Sequence, residues 1–468
     1  MHTAQLALFA WIPFVLCLFT VLQPRHAVIA AYVGGWLFLP VFGIDVKGLP
    51  PFTKVSATAY GVLFGALLFD LDRVQTFRLK WFDLPMVVWC IAPLFASVSN
   101  RIGGSINNAV YDGLSASLAE IVMWGIAYFL GRVYFSDWEG VRELAIGVFV
   151  GGLLYVPLCL IEMRMSPQLH HWVYGYFQHS FGQQKRWGGY RPMVFMQHGI
   201  ACAMWMTTTS VVGVWLWMSG ALKKLFHVPM YLLVPPLVIT AILCKSAGAL
   251  ILLMIGLGTF CWVQWFKNAL PLLVLILFIP AYVGLRASAL WSGENLVEAA
   301  TVLFSEDRAR SLQVRLDAEN LLTQKALEQP AFGWGRWNRN RVYDEKGKDL
   351  AVTDGMWVIV LGQTGFTGLC AIITAILLPA LLYWRRCPTY WWMHPMAAAG
   401  AAFSVLLPLH MVDNLWNAML NPIFVLIIGG LMALGTGARR VQPRTYSRPT
   451  GPAMPRPMAP RPAFAAMR

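Results

Sequence analysis

The chain has 468 residues, of which 58% are hydrophobic and only 12% charged, with a mean hydropathy of +0.58, whereas soluble globular chains carry about 25% charged residues. This excludes an ordinary soluble enzyme, and apolar runs of about 20 residues recurring from end to end make the chain a polytopic membrane protein. The net charge of +14 would point to nucleic acid in a soluble chain. Half of it, however, lies in residues 439–468, and no segment joins a basic stripe to a nucleic-acid-binding signature, so no nucleic-acid partner is expected.

Taken in chain order with a window of about 19 residues, apolar spans are predicted near 5–22, 27–44, 55–71, 82–99, 113–135, 140–161, 192–218, 228–244, 247–266, 269–286, 353–383, 393–412 and 415–434. The first run lacks a basic leader and passes within a few residues into the second, so it reads as an anchor and not a cleaved signal. Spans that cross lipid must satisfy their own backbone, which makes them helices. The expected fold is therefore an all-α polytopic bundle of about 12 to 13 spans. It divides into N-terminal spans (1–286), one large loop (287–352), C-terminal spans (353–438) and a tail (439–468). The tail holds seven Arg, seven Pro and no acid, a composition that predicts disorder.

Short-loop charge sets the orientation. An Arg-rich tail in the cytoplasm puts Arg25, then Arg73, Arg78 and Lys80, then Lys223 and Lys224, then Arg385 and Arg386 on the same side. The opposite face then receives the loops 45–54, 100–112, 162–191 and 287–352. Within the largest, Arg308, Leu312, Arg315, Glu319, Leu322 and Ala326 follow helical spacing and share one face. Such a stripe either packs over something partly polar or lies in the interface with its Arg side chains reaching headgroups. The eight cysteines lie in apolar spans or the linker 385–394, and no C-x-x-C pair occurs. Neither structural zinc nor a disulfide framework is expected.

Several cations stand where the short-loop rule would not put them. Arg186 and Arg191 flank Trp187-Gly188-Gly189-Tyr190 just before a span, Lys245 sits in a tight connection between two spans, and Arg286 closes another. Converging at one membrane surface they would suit an anionic ligand, since the Arg fork matches phosphate. Singly, each reads equally as a headgroup anchor. Glu120 lies well inside its span, where a carboxylate must be protonated or paired. Asp354 opens an apolar run, as an N-cap or as a functional acid. His410, Asp413 and Asn414 mark the turn between the last two spans, as local caps or as functional groups.

These residues form a pattern. Arg308-Ala309-Arg310-Ser311-Leu312, Arg315-Leu316, then Gln329-Pro330-Ala331-Phe332-Gly333-Trp334-Gly335, then Asp354-Gly355 and Gly362-Gln363-Thr364-Gly365-Phe366-Thr367-Gly368-Leu369 together resemble the signature of the O-antigen ligase and O-antigen polymerase superfamily. Arg186-Trp187-Gly188-Gly189-Tyr190-Arg191-Pro192 and Lys245-Ser246-Ala247-Gly248 look similar to earlier motifs of that family, so the resemblance covers roughly residues 185–370. It implies a bundle of the GT-C type in the bacterial inner membrane. It further implies transfer of a glycan from an undecaprenyl-diphosphate carrier to an acceptor glycan or lipid on the periplasmic side, with no metal, nucleotide sugar or other cofactor. Polysaccharide assembly proteins and membrane lipids would be its other partners. By the same resemblance Arg186, Arg191, Lys245, Arg308 and Arg315 would hold the diphosphate. Where ligases carry His this chain has Asp354, which favours a polymerase or another polysaccharide-linking relative. Asp354 would be the base, with His410 as substitute if Asp354 is only a cap. A competing class is a lipid-linked glycan or polysaccharide transporter, which needs the same cations but no base.

Overall fold

A computed structural model describes residues 2–437 apart from 47, 187, 289, 304, 305, 337, 352 and 353, and leaves the side chains of 300, 303, 307, 308 and 311 undescribed. The tail expected to be disordered, 439–468, lies outside the described residues. The chain is almost wholly helical, and its only strands among the described residues are three two-stranded hairpins. In order, the helices of ten residues or more are α1 (His2–Val21), α2 (Pro24–Phe38), α3 (Lys54–Phe69), α4 (Trp81–Ser99), α5 (Ile106–Tyr134), α6 (Trp138–Met165), α7 (Gly199–Met218) and α8 (Met230–Leu243). They continue as α9 (Ala247–Phe266), α10 (Leu270–Ala287), α11 (Glu294–Leu303), α12 (Glu306–Leu327), α13 (Met356–Arg386), α14 (Ala398–Trp416) and α15 (Pro422–Thr436).

Among the described residues nine of these helices are long and apolar enough to cross a membrane: α1, α4 to α7, α9, α10, α13 and α14. The four remaining expected spans correspond to α2, α3, α8 and α15, each too short to meet that length. A 15-residue helix reaches about 22 Å against a hydrocarbon core of about 30 Å. The chain is thus a helical multi-pass membrane bundle with fewer full-length spans than its apolar runs promise.

Burial sorts the bundle into centre and shell. The most hydropathic window of α14 is wholly buried and that of α7 is 89% buried, against 22% for α1. Helices apolar on every side are the ones that can be surrounded by protein. The N-terminal end of α7 and the C-terminal end of α14 are therefore largely enclosed by protein.

Two predicted spans change shape at this end. The run 192–218 becomes helical only at Gly199, and 192–198 is buried coil. Irregular backbone at such a site requires protein donors and acceptors in place of water. Glu162, fully buried on α6, provides them: its Oε2 accepts from the backbone N–H of Met193 and Val194 (both 2.8 Å), and its Oε1 from that of Leu169 (3.0 Å). These bonds hold Val194 at φ +55, a region that a β-branched residue avoids. The run 393–434 likewise breaks later than its hydropathy predicts. Asn414 donates to the His410 carbonyl (2.7 Å) and accepts from the Met419 N–H (3.0 Å), and Asn421 with Pro422 caps α15.

Candidate functional site

The large loop is anchored from below by one buried carboxylate. Glu319, 3% exposed on α12, accepts from Tyr282 OH (3.0 Å), Arg286 Nε (3.2 Å) and Trp357 Nε1 (3.1 Å). Arg286 spends its remaining donors on the carbonyls of Trp291, Ser292 and Leu316 at 2.7 to 3.1 Å, and Trp416 Nε1 donates to Tyr282 OH at 3.0 Å. One acid on α12 thus ties together α10, α13 and α14. Burial pushes its carboxyl pKa up, although Trp357, Arg286 and Tyr282 all act to hold it down. The predicted helical face turns inward, with Glu319, Leu322 and Ala326 buried, and it packs on protein. Arg286, one of the cations at a span end, is consumed in this anchor.

Arg315 lies one helical turn before Glu319, half-buried, and its Nε stands 3.4 Å from Asp354 Oδ2. Asp354 does not cap α13: the N-cap residue is Gly355, with no side-chain bond to the helix. Arg308 lies on α12, but its side chain is outside the described residues.

Arg186 and Arg191 are placed by a hairpin in which Lys185–Arg186 pairs with Gly189–Tyr190 and the Arg191 N–H donates to the Gln184 carbonyl at 2.8 Å. Lys245 occupies the turn between α8 and α9 in a left-handed conformation (φ +53). Arg191 Nη2 donates to its carbonyl (3.3 Å). A Cβ on Gly189 would fall 2.2 Å from Lys245 Nζ, so this hairpin lies directly against the lysine.

His198 joins these pieces. It caps α7 through Nδ1, which accepts from the Ile200 N–H at 3.0 Å, and its ring meets the His179 ring edge-on at 4.6 Å. Burial first, and then the charges of His179, Arg191, Arg186 and Arg315, lower its pKa to about 4. Four cationic or protonatable side chains, three from the stretch 179–191 and one from α12, therefore act on one imidazole held neutral. Arg186, Arg191, Lys245, Arg315 and Asp354 are all brought to this end of the bundle.

His410 comes from the C-terminal half of α14. It is buried on α14 with its ring stacked on Phe424 at 3.7 Å, and it lines a small cavity with Trp36, Trp205, Asp413 and Met419. Asp413, one turn on, accepts from Asn417 (3.1 Å) through Oδ1, while its Oδ2 faces no donor among the described residues. Glu120 lines a different cavity of about 260 Å³ with Trp89, Arg336, Gln363 and Thr364. It precedes a π-helical turn at Ile121–Gly125, a feature found frequently at functional sites.

The glycine motifs prove to be a docking joint. Helix α13 is broken at Gly365 (φ 63, ψ −165), and the segment 330–335 enters the break. Phe366 N–H donates to the Pro330 carbonyl (2.8 Å), Trp334 N–H to that of Gly362 (2.8 Å) and Gly335 N–H to that of Gln363 (2.9 Å). A Cβ on Gly333 would fall 2.6 Å from the Thr364 backbone, and one on Gly365 would fall 2.5 Å from the Ala331 carbonyl. Beyond the joint, Asp112 on α5 accepts from Arg339 (2.8 and 3.2 Å) and Ser97 (2.8 Å) and pairs with Arg336 (3.3 Å).

Three residues of this region escape sequence reasoning: Glu162, His198 and Lys54. Lys54 is 6% exposed and donates to the carbonyls of Trp36 and Phe195, both at 3.1 Å. It falls in a predicted loop, and its burial depends on a contact with residue 195, far along the chain. His198 falls inside a predicted span, where its His-Gly sequence was the only cue to a helix start. No known family model matches the chain, and no curated protein sequence is significantly similar to it.

Proposed function

We propose that the chain is a membrane glycosyltransferase that passes a glycan from an undecaprenyl-diphosphate carrier to an acceptor hydroxyl at the periplasmic face of the bacterial inner membrane, as an O-antigen polymerase or a ligase-like relative. The observation that carries this reading is the convergence of Arg186, Arg191, Lys245 and Arg315 with the Asp354 carboxylate at one end of the bundle. An anionic leaving group needs that charge, and an acceptor hydroxyl needs a base near it.

In the proposed reaction the acceptor oxygen bonds to the anomeric carbon of the donor sugar. The bond from that carbon to the diphosphate oxygen breaks, and the hydroxyl proton passes to Asp354. The cations neutralise the departing undecaprenyl diphosphate. With side chains 31% and 41% exposed, Arg315 and Asp354 are open to a ligand. The family resemblance in the Arg-bearing helix, the Pro-x-x-Gly-x-Gly segment and the Gly-x-x-Gly helix supports the same reading.

Asp354→Asn and Asp354→Ala are expected to lose about 10²- to 10⁴-fold in transfer rate, measured in membranes at matched expression. Normal product from both variants would refute the base. Arg191→Ala should weaken binding of undecaprenyl diphosphate far more than Lys224→Ala at the other end, and equal losses would refute the cationic site. The break in α13 at Gly365 favours a second reading, a lipid-linked glycan transporter, because transporters place discontinuous helices at their substrate sites. Purified protein given lipid-linked glycan separates the two: a transferase releases carrier and forms a new glycosidic bond, and a transporter moves the lipid unchanged.

A further inference from the structure

Cys159, Cys202 and Cys244 come from α6, α7 and the turn after α8, 43 and 42 residues apart in sequence, and their sulfurs all lie within 4.8 Å of one another. Cys159 Sγ and Cys202 Sγ are 3.5 Å apart. All three are free thiols with no exposed surface.

We propose that these cysteines form a trigonal site for a single soft monovalent metal ion, Cu(I). A metal–sulfur bond of about 2.3 Å sets the sides of a planar three-sulfur triangle at about 4.0 Å, inside the range of separations present. Thiolates select soft ions, whereas imidazole and carboxylate ligands suit harder ones. Structural zinc requires four ligands, and among the described residues this group offers three.

Charge supports the assignment. Three thiolates and one Cu(I) carry a net −2, and the Arg191 cation lies close by. Arg191 is near enough for its charge to act on Cys244, and Lys245 follows Cys244 in the chain and accepts from Arg191 through its carbonyl. Glu162, on the same helix as Cys159, is bound by three backbone N–H donors. The ion would tie α6 and α7 to the turn that carries Lys245, whose carbonyl accepts from Arg191. This inference does not rest on the transferase reading.

The test is anaerobic titration of the detergent-purified protein with Cu(I) against bathocuproine disulfonate. One equivalent of Cu(I) should be retained, with a thiolate-to-copper ultraviolet band and an X-ray absorption shell of three sulfurs. Cys202→Ser should lose retention at least tenfold, and Cys387→Ser should keep it. Failure of the unsubstituted protein to retain copper overturns the site whatever the variants do. So does unchanged retention in Cys202→Ser, preference for Zn(II) over Cu(I), or isolation of a Cys159–Cys202 disulfide.

Discussion

At His198 the cost of gathering cations becomes measurable. Its pKa is lowered from 6.5 to about 4, by burial and then by the charges around it, so the native state holds it neutral where the unfolded chain binds a proton. Stability is full above about pH 6.5 and is lost as pH falls toward 4, by at most about 3 kcal/mol. His198→Asn keeps a capping side chain and removes the titration, so its unfolding curve in detergent should lose much of that fall between pH 7 and 5. An unchanged pH dependence would show that the ring does not carry it. His170 contributes in the same direction and remains in the variant. Burial lowers its pKa, and its two ring nitrogens are engaged by the Tyr176 carbonyl and the Val41 N–H.

Glu319 is the second residue with a large expected effect. Glu319→Ala leaves Arg286 buried without its carboxylate, a change that costs about 3 to 5 kcal/mol. Glu319→Gln retains a side-chain oxygen for Trp357 or Tyr282 and should cost less. Thermal unfolding of both variants ranks them, and equal losses would mean that the retained oxygen adds nothing and the carboxylate charge alone carries the anchor.

Among elements, helix α12 and helix α13 show what hydropathy can and cannot reveal. The stripe from Arg308 to Ala326 was legible because side chains three and four apart share a helical face, and Leu322 and Ala326 are buried as that spacing requires. Its partner Arg286 was legible only as a cation at a span end, because Glu319 lies 33 residues away. The break in α13 was invisible in the same way. An apolar run predicts a continuous helix, and only the backbone of 330–335 arriving from another segment explains why Gly365 leaves helical geometry. Gly333→Ala and Gly365→Ala should each cost about 1 to 3 kcal/mol, through backbone clash and left-handed strain. Gly347→Ala provides a control with positive φ but no neighbour within 4 Å of a Cβ. Loss at Gly347 equal to that at the other two would locate the effect in φ alone and not in the joint.

Across the whole molecule, the apolar core is the part that composition conveys best, since helices without a polar face can only be central or face lipid. The site is conveyed least, because its residues come from the hairpin 185–190, the Lys245 turn, α12 and the start of α13. Each cation looked like an ordinary headgroup anchor when read alone; only the fold makes them neighbours. The remaining whole-molecule property is orientation, which the proposed function requires to place the cations at the periplasmic face. Lys346, exposed in the loop 287–352, and Tyr390, 56% exposed in the linker after α13, then lie on opposite sides of the membrane. The native cysteines give little background to an impermeant maleimide: five are buried, and Cys17, Cys261 and Cys370 lie within apolar helices. Lys346→Cys should therefore label in cells whose outer membrane alone is opened, and Tyr390→Cys only after the inner membrane is permeabilised. The reverse pattern would put Arg315 and Asp354 on the cytoplasmic side and overturn the proposed periplasmic transfer.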